Sequence, residues 1–109
     1  MNAQVFMNIL SSSQRSFLRS KAHHLEPVVL IGKNGVTDGT LDTINRALDS
    51  RELIKIKFRE FKDKKKSISD KIAASANCHI VGMVGHTIIL FRQNPDQEKQ
   101  NIRFPAIRK

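Results

Sequence analysis

Apolar positions recur in two rhythms along this chain, and the switches between them mark out its elements. From Ser11 the spacing is helical. Phe17, Leu18, Ala22 and Leu25 fall on one side of a 100°-per-residue wheel and Arg15, Arg19 and His23 on the other, while Ser11-x-x-Gln14 has the form of a capping box. Pro27 ends that helix, and Val28-Val29-Leu30-Ile31 reads as a short strand buried on both faces. Thr37 or Asp38 then caps a second helix with Leu41, Ile44 and Leu48 inward, and Asp42 and Arg46 paired one turn apart outside. From Leu53 to Arg59 the period drops to two: Ile54, Ile56 and Phe58 face one way, Lys55, Lys57 and Arg59 the other. A third helix is predicted from an Asp63 cap to Ala76 on the stripe Ile68, Ile72, Ala76. His79–Val84 and Thr87–Phe91 read as strands of a hairpin whose Gly85-His86 turn suits type II′. The order α-β-α-β-α-β-β predicts a single α/β domain with a mixed four-stranded sheet. Right-handed crossovers place its second and third helices on one face. Residues 1–11 are an N-terminal extension, 12–95 the domain, and 96–109 a C-terminal tail that, from Arg92 on, shows no periodicity and is expected to be extended or loosely ordered.

Charge changes the picture most. With 19 Lys and Arg against 10 Asp and Glu, the net charge is +9, which points to a polyanionic partner. The excess is uneven: residues 51–75 hold 9 basic and 4 acidic side chains, residues 1–50 only 5 and 4. Nucleic acid leads an anionic membrane surface and mere solubility as the explanation. No apolar run reaches the roughly 20 residues of a membrane helix. The first ten residues lack a basic leader and the arginines of a transit peptide, so a cytoplasmic protein is expected. Cys78, the one cysteine, cannot form an internal disulfide.

Between the first strand and the second helix lies Gly32-Lys33-Asn34-Gly35. Such a G-x-x-G loop can turn tightly and bring main-chain N–H groups, a cation and an amide against a phosphate backbone, as KH domains do. It is neither a Walker A loop nor a dinucleotide fingerprint, because the glycine spacing differs and no Gly-Lys-Ser/Thr follows. Arg15, Arg19 and His23 offer a helical ridge that could track phosphates. Lys55 and Lys57 (with Arg59) repel one another along one strand face, which an anion would relieve. Lys64, Lys65 and Lys66 read as a solvated run. The adjacent pairs His23-His24 and Cys78-His79 diverge, so neither makes a metal site, and no nucleophile signature surrounds Cys78. Neither cofactor, metal nor small-molecule substrate is expected. Six Phe without Tyr or Trp argue for backbone recognition over extensive base stacking.

The run Gln14-Arg15-x-x-Leu18-Arg19-x-x-Ala22-His23-His24-Leu25-x-Pro27-Val28-Val29-x-Ile31-Gly32-Lys33-Asn34-Gly35-Val36-Thr37 closely resembles the YhbY family, the bacterial stand-alone form of the CRM (chloroplast RNA splicing and ribosome maturation) domain. Ala47-Leu48, Glu52–Lys57, and Gly85–Arg92 with Asn94-Pro95 agree. The resemblance implies a fold like the C-terminal domain of bacterial translation initiation factor three, a KH-like loop, and a non-enzymatic RNA-binding protein. Its partner would be precursor large (50S) subunit ribosomal RNA, with a monomer as the expected state. Gly32, Lys33, Asn34 and Gly35 carry over as the loop, and Arg15, Arg19 and His23 as the basic first helix. The rival reading is a protein-interaction module of the ribosome or translation machinery, and a more distant one an enzyme using Cys78 or a histidine.

Overall fold

Each helix begins where a side chain, or the lack of one, settles its first turn. The computed structural model describes residues 10–104. In α1 (Ser12–Ala22), Ser11 Oγ accepts from the Gln14 N–H at 3.1 Å and Gln14 Oε1 accepts from the Ser11 N–H at 2.9 Å, the reciprocal box expected from the sequence. The helix stops at Ala22, short of Leu25, with His23 as its C-cap. After β1 (Val29–Ile31), Thr37 caps α2 (Asp38–Arg51), and Asp38 is the first helical residue instead of the cap. Asp42 and Arg46 pair at 3.1 Å on the exposed side of α2. Following β2 (Leu53–Phe58), Phe61 turns left-handed at φ 56°, and a 3-10 turn at Lys62–Lys64 leads into α3 (Lys65–Ala76). Asp63 therefore sits inside the 3-10 turn and caps nothing: the left-handed residue spends on reversing the chain the turn that the pattern assigned to the helix. β3 (His79–Val84) and β4 (Thr87–Phe91) have the expected bounds, with Gly85 at φ 60° in their connecting turn.

The sheet order is β1-β2-β4-β3, with β1 parallel to β2 and β4 antiparallel to both β2 and β3. This is a mixed four-stranded sheet with three helices, as the pattern predicts. Ile54, Ile56, Phe58, Ile88 and Leu90 point to the face covered by α2 and α3, where they meet Ile44, Leu48, Ile72 and Ala76. Leu53, Ile89, Phe91 and Val81 point to the other, under Leu18 and Ala22 of α1. One expectation fails: β1 is not buried on both faces. It is an edge strand, so Ile31 is enclosed while Leu30, on the α1 side, is 50% exposed. The apolar run Val28–Ile31 reads as two-sided because Leu30 is apolar even though its face of the strand is left uncovered.

The chain after β4 is tied down rather than loose as far as Phe104. Glu52, fully buried between α2 and β2 at φ 68°, holds it: Oε2 accepts from the Asn94 N–H at 2.6 Å, and Oε1 from the N–H groups of Asn101 and Ile102 at 2.6 and 2.8 Å. Phe104 then packs on Phe17 and Phe91 with ring centroids 5.6 and 5.8 Å away. Arg92 knots the ends of α2 and α3 together, donating to Asn45 Oδ1, Asn45 O, Asp49 Oδ1 and Ala76 O at 2.6–3.0 Å. No aperiodic stretch announces this, because its order is imposed by a carboxylate some fifty residues earlier in the chain.

Candidate nucleic-acid interface

The G-x-x-G loop is a closed turn: the Gly35 N–H donates to Gly32 O at 3.0 Å, leaving exposed Lys33 and Asn34 at the two central positions. Only Gly35 is left-handed, at φ 66°, and the Phe61 ring comes up beneath it, 3.5 Å from where a Cβ would sit. Nothing lies within 4 Å of the corresponding point on Gly32, so its bare backbone opens toward solvent, free for close approach by a ligand. The loop is joined to the end of β2 through the N–H groups of Arg59 and Glu60, which donate to Ile31 O at 2.9 and 3.1 Å. The start of α2 has less to offer an anion than a bare helix end. Thr37 Oγ1 already accepts from the Thr40 N–H, Thr40 Oγ1 from the Thr37 N–H, and Asp38 places a negative charge in the first turn. Lys33, Asn34 and the turn's own backbone are what the loop presents.

The basic helix does not carry its ridge away from the sheet, as the wheel suggested. Arg15 and Arg19 flank the buried stripe instead of opposing it, and the ridge lies along β3. Arg15 Nη1 donates to Ile80 O at 2.8 Å, beside the register shift between Ile80 and Gly82. Burial, and then the Arg15 charge, hold the neighbouring His79 imidazole below its usual range, which puts Arg15 at the end of the sheet far from the loop. Arg19 crosses β3 over Gly82, where an added Cβ would meet its Cδ at 3.0 Å. Beyond it, Arg19, His23 and Lys55 line one groove of about 330 Å³ with Val84, Thr87 and Ile89. Lys55 Nζ reaches His23 O at 3.4 Å, so two motifs that were separate in sequence meet here. Lys57 lies two residues on, on the same face and beside Leu30 of β1, between the groove and the loop. The structure thus gathers Arg19, His23, Lys55 and Lys57 on the half of the sheet that α1 leaves open, and sets the loop at its border. Arg15 stands apart.

Local pattern alone did not bring Lys62, Lys65 and His86 together. Loss of hydration, then the charges of Lys65, Lys62 and Lys57, hold His86 below its ordinary range, so these groups share the loop's end of the molecule. The lysine run was visible in the sequence. Lys66 is taken by Asp70 at 2.9 Å, whereas Lys65 reaches back to the β3–β4 turn, a direction set by the sheet order.

The CRS1 / YhbY (CRM) domain family model matches residues 10–92. The chain belongs to this family. Among similar proteins, the CRM domain is 35% identical over 98 residues to the Bacillus subtilis probable RNA-binding protein YqeI, covering 89% of this chain and all of that one. It is 38% identical over 95 residues to a Haemophilus influenzae RNA-binding protein, covering 86% of this chain and 96% of the relative. The solution structure of SAV1595 from Staphylococcus aureus superposes with a TM-score of 0.72 at 27% identity, over 87% of this CRM domain and all of that chain.

Cys78 has no trait of a nucleophile in the CRM domain. Burial pushes its thiol up to about 11, only partly offset by the positive charge of Arg92. Against the ordinary value of 9.0, this leaves about a hundredfold less thiolate near pH 8. Alkylation by iodoacetamide is expected to be correspondingly slow there and to accelerate only near pH 10 to 11. Rapid labelling of the folded protein at pH 8 would contradict this environment.

Proposed function

We propose that this CRM domain is a non-enzymatic, cytoplasmic RNA-binding protein that acts as an assembly factor on precursor large-subunit ribosomal RNA. One observation carries the reading: the G-x-x-G loop borders an open sheet face on which Arg19, His23, Lys55 and Lys57 converge. Lys33 and Asn34 meet phosphates at the loop tip, and the groove cations neutralise the backbone as it crosses the sheet. Phe58 and Phe91 are buried in the two cores, so they offer no platform to bases, which supports recognition by backbone and shape. The relatives described as RNA-binding proteins support the class of ligand. The ribosomal target comes from the resemblance to YhbY proteins. Sedimentation of a bacterial lysate on a sucrose gradient tests it: the protein is expected with large-subunit precursors in low salt and to be released as salt rises. Its absence from those fractions at every salt concentration would rule out the ribosomal target.

A second reading, docking to a ribosomal or translation protein, draws on Leu30 and Val84, which are 50% and 67% exposed on the same face. Association that survives ribonuclease and is indifferent to salt would favour it over the first.

A further inference from the structure

Beside Lys57, the loop's end of the sheet carries three titratable side chains that the reading above does not use: Lys62, Lys65 and His86. Lys57 lies near the end of β2, Lys62 in the 3-10 turn, Lys65 at the start of α3 and His86 in the β3–β4 turn, and the field of the three lysines falls on the imidazole. Among the described residues, ion pairs join Asp42 to Arg46, Asp70 to Lys66 and Asp49 to Arg92, and none involves these four groups. Three like charges from three elements are therefore held around a neutral imidazole with no carboxylate paired to them. A polyanion would relieve that repulsion. The histidine is also oriented. Lys65 Nζ donates to Gly85 O and, at 3.2 Å, to His86 Nδ1. An ammonium only donates, so Nδ1 is the bare nitrogen and the ring proton sits on Nε2, directed away from Lys65.

We infer that the β3–β4 turn is a second phosphate-binding point, at which Lys62, Lys65 and the Nε2–H of His86 hold the backbone of the same RNA strand that the G-x-x-G loop holds. The inference rests on the RNA reading above. The loop leaves β1 and the turn enters β4, with β2 between them, so the two points are two strand spacings apart, about 10 Å. A few consecutive nucleotides of one strand cover that span. Lys57, near the end of the intervening strand, lies along the path. A phosphate against Nε2 stabilises the imidazolium, whose new Nδ1–H can no longer accept from Lys65, and the released ammonium turns to the phosphate. Binding then takes up a proton despite the facing charges of Lys57, Lys62 and Lys65, and tightens as pH falls.

The test is fluorescence anisotropy of the full chain with a labelled single-stranded RNA of about 12 nucleotides, long enough to reach both points. A salt series is run, and circular dichroism confirms the fold of each variant. Lys62→Gln/Lys65→Gln is expected to weaken binding by about tenfold and to lower the slope of log K against log salt by about 1.4, two phosphate contacts' worth. Lys65→Arg is expected to keep wild-type affinity, and His86→Ala to flatten the pH dependence between about pH 5.5 and 7.5. If Lys65→Gln disturbs the turn, Lys62→Gln alone still lowers the slope by about 0.7, since the Lys62 side chain makes no hydrogen bond or ion pair among the described residues. Unchanged affinity and slope in the folded lysine variants, alongside weakened binding in Lys33→Asp/Asn34→Asp, would overturn the second point and leave the loop standing. Wild-type protein that binds no such RNA would overturn both.

Discussion

Glu52→Ala is expected to cost about 3 kcal/mol of stability and to lower the melting temperature by roughly 10–20 °C. Its carboxylate is fully buried and accepts from the N–H groups of Asn94, Asn101 and Ile102. Each bond to a charged acceptor contributes more than a neutral one, about 1.5–3 kcal/mol. The total is held below the sum because a freed segment recovers hydrogen bonds to water. Glu52→Gln keeps the shape and one accepting oxygen but turns an NH2 toward a donor, and should fall between the two. Glu52→Gly relieves the unusual backbone at φ 68° while losing all three bonds, so comparison with alanine separates strain from anchoring. Limited proteolysis supplies the second measurement: residues 95–104 should become cleavable in the alanine variant well below its melting temperature. A wild-type melting curve for Glu52→Ala would disprove the anchor. RNA affinity should change little, since the anchor lies at the end of β4 away from the loop.

Lys33→Asp/Asn34→Asp is expected to do the opposite, weakening RNA binding at least tenfold, about 1.4 kcal/mol, with little change in stability. Both side chains are exposed at the tip of a turn closed by the Gly32 to Gly35 hydrogen bond, so neither has packing to lose. Lys33→Asp reverses a charge and Asn34→Asp adds one, where phosphates would lie. The effect should shrink as salt rises, because the contact is screened. Equal affinity for wild type and a folded double variant, measured in low salt, would remove the loop from the interface.

Periodicity made β2 legible because one of its faces is buried and much of the other is open: Ile54, Ile56 and Phe58 went to the core under α2 and α3, and Lys55 and Lys57 to the half that α1 leaves uncovered. Capping was legible at Ser11 and Thr37 because each motif is complete within four residues. What could not be read was partnership across the chain. The inner turn of Arg15 depends on a bulge in β3, and the meeting of His23 with Lys55 on where α1 lies across the sheet. In the same way, Lys65 belongs to the β3–β4 turn only because β4 is inserted between β2 and β3. The loop's place between strand and helix was legible since strand, glycines and helix cap are consecutive. The groove was found only as two unconnected basic stripes.

Leu10 and Phe104 both pack into the small core beneath α1, at the end of β4 that lies farthest from the Gly85 turn. The chain thus enters and leaves the described domain on the side opposite the loop. A linker, a purification tag or a further folded unit joined at either point would extend from the end of the sheet away from the loop.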